Sequence, residues 1–156
     1  MDEIVYSKIL KLLRTRDRSE KEILEYLEKS GVASSDSAFF IERLRSSKLI
    51  SDVRFAESKI RSRIYNQHWG EERIKLELAE FGISSEIIED EISKIEESVW
   101  LENCERLIER NRINKKKQSE VYKLKKKLFQ MGYPQVTIKK AFTNQNISEE
   151  FEIDLE

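Results

Sequence analysis

Hydrophobic residues recur every three or four positions along almost the whole chain. Val5, Ile9 and Leu12 show this spacing near the start, and Leu124 and Leu128 continue it near the end. Such a period is typical of amphipathic α-helices, whereas a half-buried strand would alternate with a period of two. No stretch keeps the alternating pattern. The spacing therefore predicts about nine helices and no sheet.

Three glycines divide these helices into a repeat. Gly31, Gly82 and Gly132 are separated by 51 and 50 residues, and each follows an apolar helical stripe. Leucine precedes every one of these glycines by four positions, and an isoleucine or leucine precedes it by eight. A near-constant period with matching apolar columns indicates tandem three-helix units. Glycine at these places suits a left-handed helix C-cap.

Polar residues at the predicted helix starts support this division. Ser19 and Glu22 have the spacing of a capping box, in which each side chain accepts from the other residue's backbone N–H. Asp52 is expected to cap the fourth helix, and Ser84 or Ser85 the sixth. The third helix has three candidate caps, which are Ser34, Ser35 and Asp36.

The predicted fold class is all-α, as an elongated, curved array of three tandem three-helix repeats that resemble helix-turn-helix units. The repeats are assigned to residues 1–51, 52–97 and 98–144, and residues 145–156 form an acidic tail expected to be mobile. The repeats share few apolar residues beyond their own cores. We therefore expect limited contact between neighbouring repeats.

Composition excludes several classes of protein. The chain has 156 residues, 38% of them charged, with a net charge of −1. One Cys and one His exclude a disulfide framework and a Cys/His zinc site. No signal peptide or membrane span is predicted, so we expect a cytoplasmic protein without membrane contact.

No catalytic constellation is visible. Cys104 lies on the apolar stripe of Trp100 and Leu107 and is expected to be a core residue. His68 follows the fourth helix and is interpreted as a helix-terminal residue. No metal-ligand spacing occurs. The sequence thus predicts a protein that is not an enzyme and needs no cofactor.

The candidate binding residues are basic. The segment from Asn103 to Lys127 holds ten Lys or Arg against three acids, an excess that repels itself unless an anion faces it. An ordinary mixed-charge surface remains the alternative for the other basic stretches. Nearby Tyr65, Trp69, Tyr122 and Tyr133 could stack on nucleobases, but a core role is favoured. The candidate partner or DNA-binding residues are Arg14, Arg16, Arg18, Arg54, Arg61, Arg63, Arg73, Lys115, Lys116, Lys117, Lys123, Lys125, Lys126 and Lys127.

These motifs together resemble the RecX regulatory family. The opening Arg16-Asp17-Arg18-Ser19 with Gly31, the run Lys48-Leu49-Ile50-Ser51-Asp52 with Phe55 and Ala56, and the segment Gly70 to Ile83 all follow its pattern. Leu124, Leu128, Gly132 and Tyr133 resemble its third repeat. Lys48 replaces the usual glycine, and the Lys-rich insert 111–117 and the acidic tail depart from the family pattern.

The resemblance implies a non-enzymatic, usually inhibitory modulator of the RecA recombinase that lies in the groove of the RecA–single-stranded DNA filament. We expect it to lower ATP hydrolysis, filament growth and strand exchange, to act as a monomer, and to bind DNA weakly through its basic faces. Several weak contacts in one chain would supply avidity. Two alternatives stay open: a direct, helix-turn-helix-like nucleic-acid binder, and a passive helical scaffold. The third helices of the first two repeats begin with acidic or apolar residues, which disfavours the former.

Overall fold

The computed structural model describes residues 2–149, and the regular structure within that span is helical without a strand. The predicted all-α class is therefore confirmed. The helices follow the chain as α1 (Glu3–Thr15), α2 (Glu20–Lys29), α3 (Ser34–Ser46), α4 (Asp52–Ser62), α5 (Glu71–Glu80), α6 (Ser85–Ser93), α7 (Glu97–Asn111), α8 (Gln118–Gln130) and α9 (Gln135–Asn144), with a π-helical turn at Arg63–Gln67 directly after α4.

The helices come in three successive groups of three, which confirms the tandem repeat. The chain packs as two compact units. Unit 1 holds the residues up to Ser58 together with Leu78–Glu91, and unit 2 holds Lys59–Glu77 together with the residues from Ile92 onward. The assigned repeat boundaries stay a prediction.

The first repeat, in unit 1, closes around a core that α1, α2 and α3 share. Ile9, Ile23, Leu27, Phe40 and Leu44 are all buried there. Full burial of such side chains contributes about 1.5–3 kcal/mol each, which offsets the cost of ordering short helices. The predicted capping box at the start of α2 is present in both directions.

Three residues end their helices in the left-handed region, as predicted. Gly31, Gly82 and Gly132 have φ of 77°, 78° and 103°. At Gly82 the geometry also demands a small residue, because a Cβ there would press on the Lys21 side chain. The repeat of glycines thus reflects a backbone requirement.

Two of the predicted caps are wrong. α3 begins after Ala33 with no side-chain cap, so none of the three polar candidates there serves. α4 is capped by Ser51, whose hydroxyl accepts from the Arg54 N–H at 3.2 Å. The Asp52 carboxylate instead accepts from the Glu20 N–H at 2.9 Å and so caps α2. The cap at α6 is correct, with Ser84 accepting from the Ile87 N–H.

The third repeat, in unit 2, has its own core. Cys104, Leu128, Tyr133, Ile138 and Phe142 are buried within it. The core extends past α9, because Ile147 is buried in the same cluster and its N–H donates to the Phe142 carbonyl. The expected acidic tail starts at residue 145, and its part from 150 to 156 lies outside the described residues.

A few polar contacts join successive repeats, and the expectation of limited contact stays a prediction. In unit 1, Lys21 Nζ donates to the Glu80 carbonyl at 3.0 Å, which adds to the Asp52–Glu20 bond. In unit 2, the Gly70 N–H donates to the Met131 carbonyl at 2.8 Å. These contacts between repeats use backbone groups and charged side chains. The pattern of apolar residues in the sequence therefore does not predict them.

Candidate interaction surfaces

The first basic stretch, at the end of α1, is mostly neutralised by acids. Arg16 forms an ion pair of 2.5 Å with Glu22, and Arg18 lies 3.8 Å from the same carboxylate. Burial alone would raise the pKa of Glu22, but the Arg16 hydrogen bond, the Ser19 N–H and both guanidinium charges outweigh it and lower the pKa. Arg14 is exposed in the last turn of α1. Of the three, only Arg14 offers an unengaged side chain among residues 2–149.

Arg54 and Arg61 lie on α4, and both are exposed. Arg54 donates to the carbonyls of Lys48 and Leu49 at 3.1 and 3.3 Å, and it lies 3.8 Å from an Asp17 carboxylate oxygen. Since Lys48 has a φ of 59°, Arg54 stabilises a left-handed turn that the family pattern would give to glycine. Arg54 therefore has a structural task.

Two arginines of unit 2 share one aromatic ring. The guanidinium carbons of Arg63 and Arg73 lie 4.7 and 4.0 Å from the Trp69 ring centroid. Arg63 is half-buried, and its Nε also donates to both carboxylate oxygens of Glu77, at 2.9 and 3.1 Å. Arg73 is exposed. The two residues, grouped by sequence, differ in what they can offer to a partner.

The lysines of residues 115–127 are here called the lysine segment. Some of them bind other residues of the chain, and the rest are exposed without a partner. Lys115 Nζ donates to the Gln145 carbonyl, Lys127 to the Asn111 side chain, and Lys125 pairs with Glu149 at 3.1 Å. Lys125 is only 4% exposed, which is rare for a lysine and requires a paired acid. Four others are exposed with no side-chain partner in the described part of the chain, namely Lys116, Lys117, Lys123 and Lys126.

The aromatic residues near these bases split between core and surface. Tyr133 is buried, as predicted, and its hydroxyl donates to the His68 carbonyl at 2.6 Å. Trp69 is half-buried. The favoured core role is wrong for Tyr65 and Tyr122, which are 61% and 39% exposed. Tyr65 lies in the π-helical turn, where helical periodicity no longer predicts which side faces inward.

Cys104 and His68, whose side chains are of types that can act in catalysis, both occupy structural positions. Burial, with the charge of Glu105 as a smaller cause, raises the pKa of the Cys104 thiol to about 12, so it stays protonated at neutral pH. His68 ends the π-helical turn in the left-handed region, with a φ of 58°. Within residues 2–149, no cluster of His, Cys, Asp and Glu could hold a metal ion. None of the helices in this span is both long and apolar enough to cross a membrane.

Sequence reasoning missed the acids and the amide that organise these surfaces. Glu77 and Glu149 are distant in sequence from the cations they bind, so no local pattern indicates them. Asn103 is different, because it interrupts the apolar stripe of α7 between Trp100 and Leu107. A polar residue on the buried face of a helix indicates a buried hydrogen bond.

The fold and these surfaces define a class of protein built from tandem three-helix repeats with exposed cationic side chains. Residues 51–91 match the family model described as "RecX, second three-helix domain". The crystal structure of RecX from Lactobacillus salivarius superposes with a TM-score of 0.86 at 24% identity, covering 94% of this chain and 97% of that one. A second crystal structure, of regulatory protein RecX, gives a TM-score of 0.82 at 22% identity, covering 90% and 72%.

Curated relatives found by sequence indicate the same family. "Regulatory protein RecX" of Oceanobacillus iheyensis is 30% identical over 155 residues, which is 95% of this chain and 57% of the relative. The protein of the same name from Clostridium perfringens strain 13 is 32% identical over 131 residues, or 82% and 61%. Together these matches support the assignment of the chain to the RecX family. The chain spans a little over half the length of these relatives.

Proposed function

We propose that this chain regulates the RecA recombinase by binding the RecA–single-stranded DNA filament. Binding in the filament groove inhibits ATP hydrolysis, filament growth and strand exchange, and the chain acts as a cytoplasmic monomer without catalysis of its own. Similarity to a family whose curated relatives are named regulatory proteins supports this role. The tandem repeats supply several contacts along one chain, so that weak sites add up to avidity.

One observation carries the proposal: the positive charge of the lysine segment is not neutralised locally. Residues 103–127 hold ten bases and three acids. Lys116, Lys117, Lys123 and Lys126 remain exposed and unpaired within the described residues. By comparison, residues 2–31 hold seven acids and seven bases. An excess of unpaired cations favours a polyanionic partner, either DNA phosphates or an acidic protein surface.

The proposal is tested on preformed RecA filaments. We expect the chain to lower the ATPase rate, shorten filaments and slow strand exchange. The variant K116Q/K123Q/K126Q should lose most of this effect. The control K8Q/K11Q/K29Q removes three exposed lysines from the charge-balanced segment and should retain it. Wild-type protein that changes none of the three readouts would reject the proposal.

Direct nucleic-acid binding is the second candidate, because the same unpaired lysines would contact DNA phosphates without RecA. Such binding should be weak and sensitive to salt. Tight binding to a defined duplex at high salt, with no effect on RecA, would favour this candidate. A pull-down from cell extract separates both from a passive scaffold.

A further inference from the structure

Two arginine side chains lie over the Trp69 ring, and only one of them also binds another residue. Arg63 donates to Glu77 and is held between that carboxylate and the ring. Arg73 lies closer to the ring, at 4.0 Å from its centroid, and its side chain has no hydrogen-bond or ion-pair partner within residues 2–149. Its guanidinium is therefore oriented by the indole while its N–H donors stay available.

Hydrogen bonds hold the backbone around Trp69, the residue on whose ring Arg73 lies. The Trp69 N–H donates to the Arg63 carbonyl at 3.0 Å, and the preceding carbonyl, of His68, accepts from the Tyr133 hydroxyl at 2.6 Å. The following N–H, of Gly70, donates to the Met131 carbonyl. These bonds fix the backbone on both sides of Trp69. A binding group that is already ordered loses less entropy when a partner arrives.

Two acids close to Arg73 on α5 have other partners. Glu72 lies 3.3 Å from Lys75 Nζ, and Glu77 accepts from Arg63. Stacking leaves the edge of a guanidinium free, and that edge fits a phosphate or a carboxylate through two parallel hydrogen bonds. Arg73 is thus poised for an external anion.

An exposed aromatic ring on the same segment distinguishes between the possible anions. Tyr65, in the π-helical turn that precedes Trp69, is largely exposed, and its neighbours Asn66 and Gln67 are exposed amides. Unpaired nucleobases stack on such rings, and sequence-independent binding of single strands combines stacking with phosphate contacts. A single strand can therefore engage both groups, the ring through a base and the guanidinium through a phosphate.

We propose that residues 63–73 form a binding site for single-stranded nucleic acid, in which Arg73 contacts a phosphate and Tyr65 stacks on a base. Arg63 is a positioning residue, because it holds Trp69 through its bond to Glu77. The inference rests on the proposed function, since the RecA filament contains single-stranded DNA, and it specifies one site for that strand.

The two tryptophans make the site directly measurable. Trp100 is buried, so W100F leaves Trp69 as the single tryptophan beside Arg73. Titration of the full chain with a 20-residue oligothymidine should change Trp69 fluorescence. R73Q should weaken binding about tenfold and reduce the slope of log affinity against log salt by about 0.7, the loss of one phosphate contact. R73K should bind with intermediate affinity, because the charge remains and the planar group is lost.

Controls separate this site from general charge. K29Q removes one exposed positive charge from unit 1 and should leave affinity and slope unchanged. Y65F should bind like wild type and Y65A should bind several-fold more weakly. Should W100F unfold the chain, anisotropy of a labelled oligothymidine with the wild-type background gives the same comparison.

Each outcome decides the inference. R73Q with the affinity and slope of K29Q would overturn it. Loss of binding to poly-glutamate in R73Q, with oligothymidine binding unaffected, would overturn it in favour of an acidic protein partner. Failure of the proposed function is a separate result: wild-type protein that binds oligothymidine through Arg73 but leaves RecA ATPase unchanged keeps the site and rejects the regulator.

Discussion

Asn103 Nδ2 donates a buried hydrogen bond of 3.1 Å to the carbonyl oxygen of Ile64. Ile64 belongs to the π-helical turn, and a π-helical turn disrupts the regular i→i−4 ladder of the helix it continues. A buried carbonyl without a donor would cost about 1–3 kcal/mol. Asn103 thus stabilises the turn that presents Tyr65 and leads to Trp69.

We predict that N103A destabilises the fold by about 2 kcal/mol, because it leaves the Ile64 carbonyl buried and unpaired. Urea unfolding followed by circular dichroism measures this. N111A is the matched control, since Asn111 lies on the same α7, is half-buried, and donates to the Leu107 carbonyl of its own helix. Equal losses in the two variants would show that the bond to the π-helical turn has no special weight.

A second prediction concerns the contact between the second and third repeats in unit 2. A Cβ on Gly70 would clash with the Gly132 carbonyl carbon and the Tyr133 nitrogen. G70A should therefore cost about 3 kcal/mol, because rigid backbone cannot move aside. G31A adds a left-handed Cβ with nothing within 4 Å and should cost about 1 kcal/mol. Unfolding midpoints of the two variants check the ratio, and a G31A as damaging as G70A would contradict it.

The success of sequence reasoning here depends on how far apart the interacting residues lie. Gly31 and the Ser19–Glu22 box were predictable, because the groups that require them are within a few residues. Asp52 was predicted to cap its own helix, yet it caps α2, 32 residues earlier. Nothing local distinguishes these two uses of a carboxylate.

The candidate site was less predictable than the fold. Counting bases identified the lysine segment but could not separate Lys125, which is buried, from its exposed neighbour Lys126. The distinction depends on Glu149, 24 residues away. Likewise, Arg63 and Arg73 look alike in the sequence and differ only through Glu77 and Trp69. Pairing between distant residues decides which charges are available.

A fall in pH should change the stability that two carboxylates of unit 1 contribute in opposite directions. The pKa of Glu22 is lowered from its ordinary 4.5, because the Arg16 hydrogen bond and its other favourable contacts outweigh burial. A lowered pKa means that the stabilisation is present above the ordinary value and lost as pH falls through the folded value. E22Q should thus cost about 1 kcal/mol at pH 7 and nothing near pH 2.

Asp52 supplies the control of opposite sign for that experiment. Burial raises its pKa above the ordinary 3.8, with the charge of Glu20 as a smaller cause. Its extra stability is present below 3.8 and is lost as pH rises through the raised value. D52N keeps an acceptor for the Glu20 N–H. The free energy of unfolding of the wild type should therefore rise relative to that of D52N as pH falls. Parallel trends for E22Q and D52N would contradict the assignment.

The pair of Lys125 and Glu149 gives the last prediction. Breaking a buried ion pair leaves an uncompensated charge, whereas replacing the charge by an apolar group of similar volume is often neutral. E149Q should therefore destabilise unit 2 by about 3 kcal/mol. The double variant K125M/E149Q should recover most of that loss in urea unfolding.

The same pair tests which lysines contact a polyanion. Because Lys125 already binds Glu149, the double variant K125M/E149Q should leave the salt dependence of oligothymidine binding unchanged. K126Q, at an exposed neighbour, should reduce the slope by about 0.7. If K125M/E149Q lowered the slope as K126Q does, Lys125 would have to leave Glu149 on binding, and the separation of structural from contacting lysines on α8 would fail.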